Sequence, residues 1–150
     1  PNVRNGNLRA EIEAEVPEKV NGVVFAMGGY AGGVSLYALD GVLYYEYSAL
    51  LLKRDKIKVG VLPAGDVKIA FEMRTPSGVD VPADLKFWIN GTEAATGKLQ
   101  RSVPGGFTAS ENFDVGMDTA SPVADDYFDK PPFKFEGTLK RLHFKYLEQK

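Results

Sequence analysis

The chain has 150 residues, of which 44% are hydrophobic and 11% aromatic, so it can bury one sizeable core, and we expect a single domain over residues 1–150. Its 18 basic and 20 acidic residues give a net charge of −2, and no apolar run is long enough for a membrane-spanning helix; we therefore expect neither nucleic acid nor a membrane as a partner. The chain has no cysteine, which excludes disulfides and thiolate chemistry.

Strand patterns follow one another along the whole chain. Residues 8–16 alternate, with Leu8, Ala10 and Ile12 on one face and Glu11 on the other, which is typical of a strand with one face in water. Similar patterns predict strands at 23–27, 34–39, 42–48, 57–62, 67–74, 85–90 and 138–146. Many short strands and no segment of helical period predict an all-β sandwich or barrel, and we favour a two-sheet antiparallel sandwich.

Local features refine this reading. Asp40-Gly41 and Asn90-Gly91 predict tight hairpins, because Asn, Asp and Gly tolerate the positive φ that such turns need. Leu139 is out of phase with Leu142, which predicts a β-bulge in the last strand.

Residues 100–132 are rich in Gly, Pro, Asp and Ser and are predicted to form a loop. Apolar side chains spaced along and just beyond it should tie it to the core: Phe107, Phe113, Val115, Val123, Tyr127 and Phe133. We therefore expect this loop to be ordered.

Two stretches carry a family signature. The first reads Gly22-Val23-Val24-Phe25-Ala26-Met27-Gly28-Gly29 followed by Gly32-Gly33-Val34-Ser35-Leu36-Tyr37, and the second runs from Glu111 to Tyr127 and on to Pro131-Pro132-Phe133. With Leu62-Pro63-Ala64-Gly65 and Trp88-Ile89-Asn90-Gly91, they resemble, in order and over almost the whole chain, the C-terminal region of bacterial arylsulfatases. The resemblance implies a concanavalin A-like jelly-roll sandwich, of the lectin and glucanase type, attached to an upstream sulfatase catalytic domain.

The same resemblance implies that the chain, which starts at Pro1, is the C-terminal fragment of a larger bacterial protein, in the cytoplasm, the periplasm or outside the cell. The function it implies is non-catalytic: stability, docking or oligomer contacts for the catalytic domain.

Catalytic residues are not expected in this chain. Sulfatases of this type modify a Cys or Ser within Cys/Ser-x-Pro-x-Arg; Ser102-Val103-Pro104 begins that pattern, but Gly106 stands in place of Arg. The side chain of His143, the single histidine, points to the opposite face of the strand from Leu142 and is expected at the surface. We therefore predict that the chain does not hydrolyse sulfate esters.

A carbohydrate-binding, lectin-like module is the alternative. Trp88, Tyr30 and Tyr44 could offer flat apolar rings with polar edges, which suit stacking on sugars. In the tyrosine-rich strand, alternation places Tyr44 on one face and Tyr45 with Tyr47 on the other, so one set is expected in the core. Trp88 should point with its polar neighbours; we favour a core or inter-domain role for it, with sugar contact as the alternative.

Carboxylates cluster in the loop, and oxygen ligands of this kind can bind Ca²⁺. Asp114, Asp118 and Asp125 are the alternative ligands for such an ion. Our main interpretation assigns them to hydrogen bonds with nearby backbone amides, with no metal and no cofactor.

Overall fold

A computed structural model describes residues 7–29, 32–49, 53–74, 82–99, 113–119 and 122–147 of the chain. Within these ranges the regular elements are β1 (Leu8–Val16), β2 (Gly22–Gly29), β3 (Gly32–Leu39), β4 (Val42–Ala49), β5 (Lys53–Val61), β6 (Gly65–Arg74), β7 (Ala83–Ile89), β8 (Thr92–Leu99), β9 (Phe113–Val115), a 3-10 turn (Asp125–Tyr127) and β10 (Thr138–Tyr146). No helix among these residues has the length and apolarity needed to cross a membrane.

The strands form two antiparallel sheets of five strands each. The first sheet has the order β10-β1-β6-β7-β8, and the second has the order β5-β4-β3-β2-β9. The chain therefore crosses between sheets several times, and β1 lies between two strands that are distant in sequence. The predicted two-sheet antiparallel sandwich is confirmed.

The two sheets pack face to face through the apolar side of each alternating strand. The rings of Phe25 in the second sheet and Phe71 in the first lie 5.9 Å apart between centroids, and those of Tyr45 and Phe87 lie 5.5 Å apart. All four side chains are fully buried. Burial of a side chain of this size stabilises the fold by roughly 1.5–3 kcal/mol, so this aromatic layer is a major contributor to stability.

The turn and bulge predictions are confirmed. Asp40 and Gly41 have φ values of 49° and 80°, and Asn90 and Gly91 have values of 51° and 80°, as tight hairpins with two left-handed residues require. Glu13 of β1 pairs with Arg141 of β10, and the next residue, Ala14, pairs with Leu139. The register therefore shifts by one residue between Leu139 and Arg141, within the stretch of β10 where the bulge was predicted.

Two strands differ from the sequence prediction. β8 (Thr92–Leu99) was not predicted, and it lies at the edge of the first sheet with mostly exposed side chains. Its alanines and glycine have low β propensity, so the strand forms because it pairs with β7. β5 begins four residues before its predicted start, since Lys53 to Lys56 pair with β4 despite their charges.

A covering segment, residues 116–119 and 122–135, lies across the outer face of the second sheet. Val123, Ala124 and Tyr127 of this segment form a second apolar cluster with Val23 and Tyr37 of the sheet. Its backbone is fixed to β2, because the amide of Val23 donates to the carbonyl of Phe133 at 2.9 Å. Both faces of the second sheet are therefore buried over this region.

The loop anchors behave as predicted at most of the described positions. Val123 and Tyr127 are buried and Phe133 packs against them, whereas Phe113 joins the main core beside Phe25. Val115 differs, because its side chain is 46% exposed and anchors nothing. Phe107 lies outside the described residues.

Candidate functional site

The outer face of the first sheet carries the side chains that alternate away from the core. Trp88 on β7 pairs with Ala70 on β6, Ala70 pairs with Glu11 on β1, and Glu11 pairs with His143 on β10. These four residues form one row across the sheet, and Glu11 and His143 are exposed while Trp88 is half-buried. Trp88 therefore lies on a solvent-accessible face, as its alternation predicted.

Ala70 creates a depression in this face, because its methyl group leaves open the space between Trp88 and β1. The depression has a volume of about 400 Å³. Its lining combines one aromatic ring with charged groups of both signs: Arg9, Glu11, Glu13, Lys68, Ala70, Trp88 and Arg141.

Arg9 is held in a fixed position beside the indole. Its guanidinium carbon lies 4.9 Å from the Trp88 ring centroid, a cation–π contact, while Nη1 donates to Glu72 Oε2 at 2.7 Å and Nε to Glu11 Oε1 at 3.1 Å. The hydrogen bond from Arg9 lowers the pKa of Glu11, and the positive charges of Arg9 and Arg141 act in the same direction. Glu11 is therefore ionised at neutral pH and presents acceptor oxygens at the rim of the depression.

A second depression, of about 630 Å³, lies on the other side of Trp88. Lys86 approaches the indole from this side, with Nζ 5.8 Å from the ring centroid. The other polar residues that line this depression are Glu72, Arg74, Asp84, Thr96 and Lys98. Glu72 connects the two depressions, because one of its oxygens accepts from Arg9 and the other accepts from Arg74 at 3.0 Å.

Tyr44 lies on the opposite side of the sandwich, on the outer face of the second sheet. Its ring stacks on Tyr37 with centroids 5.7 Å apart, and Lys56 Nζ lies 4.8 Å from its centroid. The structure therefore does not bring Tyr44 together with Trp88 in one site. Tyr30, the third aromatic residue proposed for sugar contact, lies outside the described residues. Tyr45 and Tyr47 are the set that is buried in the core.

Charged groups on this second face pair with the covering segment. Lys56 Nζ and the Tyr37 hydroxyl both donate to Asp126 Oδ2, at 2.6 and 2.7 Å. Burial acts to raise the pKa of Asp126, but these two hydrogen bonds outweigh it and lower the pKa below its ordinary value. Arg54 pairs with Glu46 at 2.8 Å and also donates to the carbonyl of Val123. Burial raises the pKa of Glu46, and Arg54 only partly offsets this.

A buried hydrogen-bond chain connects the segment to the sheet. The Tyr127 hydroxyl donates to Asp118 Oδ2 at 2.6 Å and lies 3.0 Å from the Ser35 hydroxyl, while the amide of Val123 donates to the same Asp118 oxygen at 3.0 Å. Burial, together with the Asp118 charge, raises the pKa of Tyr127 well above its ordinary value, so the phenol stays protonated and continues to donate.

Two of the loop carboxylates, those of Asp114 and Asp118, make the backbone contacts that our main interpretation assigned to them. Asp114 Oδ2 accepts from the amide and the hydroxyl of Thr119, both at 2.8 Å, Asp118 accepts from the Val123 amide, and Asp125 is exposed at the start of the 3-10 turn. Within the described ranges no group of three acidic or histidine side chains is placed to hold a metal ion. The Ser102 to Gly106 stretch lies outside these ranges.

Sequence reasoning placed Trp88 on the polar face but did not single out the residues that the structure places around it. The neighbours Arg9, Glu11 and Glu72 come from β1 and β6, whose pairing with each other and with β7 cannot be read from chain order. The alternation of charged residues along β1 predicts that one face of this strand is exposed to solvent, but it does not predict which strands pair with β1.

The sequence matches no protein-family model and no curated protein. Solved structures do resemble it. The Ruminococcus gnavus IT-sialidase CBM40 bound to alpha2,3 sialyllactose superposes with a TM-score of 0.68 and 13% identity, over 95% of this chain and 78% of that chain. Domains LG4-5 of the mouse laminin alpha1 chain superpose with a TM-score of 0.65 and 12% identity. The match covers 100% of this chain, which spans 40% of that laminin chain. The endo-beta-1,4-glucuronan lyase of the fungus Trichoderma reesei superposes with a TM-score of 0.61 and 12% identity, over 96% of this chain and 70% of that chain.

These likenesses define the class of the fold: a jelly-roll sandwich of the concanavalin-like type that lectin-like domains share. At 12–13% identity these similarities support the fold assignment but do not indicate a function. The predicted fold class is thus confirmed, whereas no comparison connects the chain with arylsulfatases.

Proposed function

We propose that the chain is a non-catalytic carbohydrate-binding module whose site is the Trp88 depression on the first sheet. The observation that carries this proposal is an indole on a solvent-accessible concave surface, beside a pinned guanidinium and the ionised carboxylate of Glu11. Ligand sites commonly combine an apolar wall with a few oriented polar groups, and an aromatic ring is well suited to the apolar face of a sugar ring.

The polar groups suit sugar hydroxyls, which both donate and accept hydrogen bonds. Glu11 and Glu13 can accept from hydroxyl groups, and the guanidinium of Arg141 can donate to ring and hydroxyl oxygens. A structural neighbour bound to sialyllactose supports the proposal, because it places a saccharide on a sandwich of this class.

The test compares aromatic truncations on the two outer faces. Trp88→Ala should lower the affinity for a bound glycan by about tenfold or more, because it removes the stacking surface, whereas Tyr44→Ala on the opposite face should leave affinity unchanged. Isothermal titration calorimetry, with a panel of neutral and acidic oligosaccharides, measures both. Full affinity in Trp88→Ala, or no binding by the wild type to any glycan, would refute the proposal.

A second candidate is docking to an upstream sulfatase catalytic domain, as the sequence resemblance implies. Four large apolar side chains are exposed and could contact such a domain, but they lie on different elements, and single exposed apolar residues are common on protein surfaces: Val61, Val115, Phe128 and Tyr146 are 69%, 46%, 52% and 61% exposed. Under this candidate the gene upstream of Pro1 encodes Cys/Ser-x-Pro-x-Arg, and the isolated chain does not turn over a chromogenic sulfate ester. Absence of that motif upstream, or turnover by the chain with contaminants excluded, would count against it.

A further inference from the structure

The two depressions on the first sheet meet at Trp88 and together form one groove. The first depression reaches Arg141 on β10, and the second reaches Thr96 and Lys98 on β8, so the groove crosses all five strands of the sheet. With neighbouring strands about 4.8 Å apart, four intervals give a span of about 19 Å from β10 to β8. A groove of this length exceeds what one sugar unit stacked on Trp88 would occupy.

The groove is positive although the chain is acidic overall. Each depression is lined by three cations and two carboxylates: Arg9, Lys68, Arg141, Glu11 and Glu13 in the first, and Arg74, Lys86, Lys98, Glu72 and Asp84 in the second. One further carboxylate, Glu93, pairs with Lys86 at 3.3 Å beside the second depression. Six cations against five carboxylates still leave a small positive excess here, although the whole chain carries a net charge of −2. A surface of this kind attracts an anionic ligand and releases it as salt is added.

The cations at the two ends of the groove are available to bind an anionic ligand. Arg141 has no ion-pair partner within 4 Å among the described residues, and the contact of Lys98 with Asp84 is a long one, 3.7 Å, between exposed groups. Such exposed pairs contribute about 0–1 kcal/mol, so a ligand anion can replace the carboxylate at little cost. The central cation Arg9, by contrast, is held by Glu72 and Glu11.

We infer that this groove binds an extended acidic oligosaccharide that runs across the strands, with one unit in contact with Trp88 and its neighbours in the two depressions. This inference rests on the proposed function and specifies its ligand. Carboxylate and sulfate groups share the chemistry that Arg141 and Lys98 recognise, so uronate-containing and sulfated chains are both candidate sources. The four carboxylates in the groove disfavour nucleic acid, whose closely spaced phosphates they would repel.

The test measures affinity against chain length and charge. We would titrate oligoglucuronates of two to six units, sulfated galactan oligosaccharides of the same lengths and neutral gluco-oligosaccharides into the intact chain. The six-unit acidic chains should bind about tenfold more tightly than the two-unit ones and than the neutral six-unit chain, and added salt should weaken their binding. The acidic series that binds more tightly identifies the source of the anion, and either result supports the inference.

Charge-neutral variants locate the ligand. Arg141→Gln and Lys98→Gln, at opposite ends of the groove, should each weaken binding of the six-unit acidic chain by about threefold or more, because each removes one ionic contact. Lys58→Gln, which makes the same charge change on β5 of the second sheet, is the matched control and should have no effect. Equal effects of all three substitutions would indicate nonspecific charge attraction and overturn the inference.

The failure of this inference can be distinguished from failure of the proposed function. If Trp88→Ala abolishes glycan binding but affinity is independent of length and charge, the extended acidic ligand is wrong and the carbohydrate module stands. If the wild type binds no glycan of any series, both are wrong.

Discussion

The two outer faces of this sandwich contain similar residues and use them differently. On the second sheet, Tyr37 and Lys56 bind Asp126 of the covering segment, so the face is occupied by the chain itself. On the first sheet, Trp88 and Arg9 contact each other within the sheet and remain at a solvent-accessible surface. An aromatic ring beside charges therefore does not mark a binding site; whether another part of the chain already fills the face decides it.

The faces also differ in what they contribute to stability. The covering segment buries Val123 and Tyr127 completely, and each large apolar side chain buried this way contributes roughly 1.5–3 kcal/mol. The open face offers mainly partly exposed ion pairs, which contribute about 0–1 kcal/mol each. We therefore expect substitutions on the covered face to change stability and substitutions on the open face to change binding.

Truncation of one large aromatic side chain on each face should give the largest effects. Tyr127→Ala should lower the free energy of unfolding by about 3–5 kcal/mol, because it leaves a cavity under the covering segment and removes the hydrogen bond to Asp118. Trp88→Ala should cost about 1 kcal/mol or less, because the indole is only half-buried. Urea denaturation of both variants measures the difference. Equal losses would contradict the distinction between the two faces.

Removal of a single hydroxyl should give an intermediate effect, with opposite outcomes at two tyrosines. Tyr127→Phe should cost about 1.5–3 kcal/mol, because its hydroxyl donates to a buried carboxylate. Tyr45→Phe should be neutral or stabilising, because the Tyr45 hydroxyl is buried in the main core without a hydrogen-bond partner among the described residues. Thermal unfolding of the two variants is the measurement, and a large loss in Tyr45→Phe would show that its hydroxyl does have a partner.

Acid should weaken the covered face through Asp126. Its pKa is lowered in the folded state, so the unfolded chain, with an ordinary value near about 3.9, binds the proton more tightly, and stability falls as pH drops through the folded pKa. Glu46 nearby has a raised pKa and acts in the opposite direction, so Asp126 must be isolated by difference. The wild type should melt at a higher temperature than Asp126→Asn at pH 7, and this difference should become smaller below about pH 4. A constant gap would refute the assignment.

Local features of the fold were predictable from the sequence because they depend on neighbouring residues. Alternation located β1 and β10 and assigned Trp88 to the polar face, and the Asp-Gly and Asn-Gly pairs located two hairpins. β8 was missed because its residues have little intrinsic preference for a strand, and only pairing with β7 makes it one.

The site was less predictable than the fold because it depends on long-range pairing. Trp88 meets Arg9 only because β6 separates their strands and contributes the small residue Ala70 between them. The grouping of Tyr44 with Trp88 as sugar contacts failed for the same reason: sequence gives the face of each strand, but not which sheet the strand joins.

The smallest effect tests how the open face is organised. Glu72 accepts from Arg9 at 2.7 Å and from Arg74 at 3.0 Å, so it fixes the guanidinium that lies against Trp88. Glu72→Gln keeps the size of the side chain but removes its charge, and it should change the free energy of unfolding by less than about 1 kcal/mol. Affinity for a neutral glycan should fall by about two- to threefold, because Arg9 becomes free to adopt other rotamers beside the indole. Glu18→Gln, which makes the same change of carboxylate to amide at the exposed turn after β1, is the control, and an equal loss there would mean that the ion pair does not position the site.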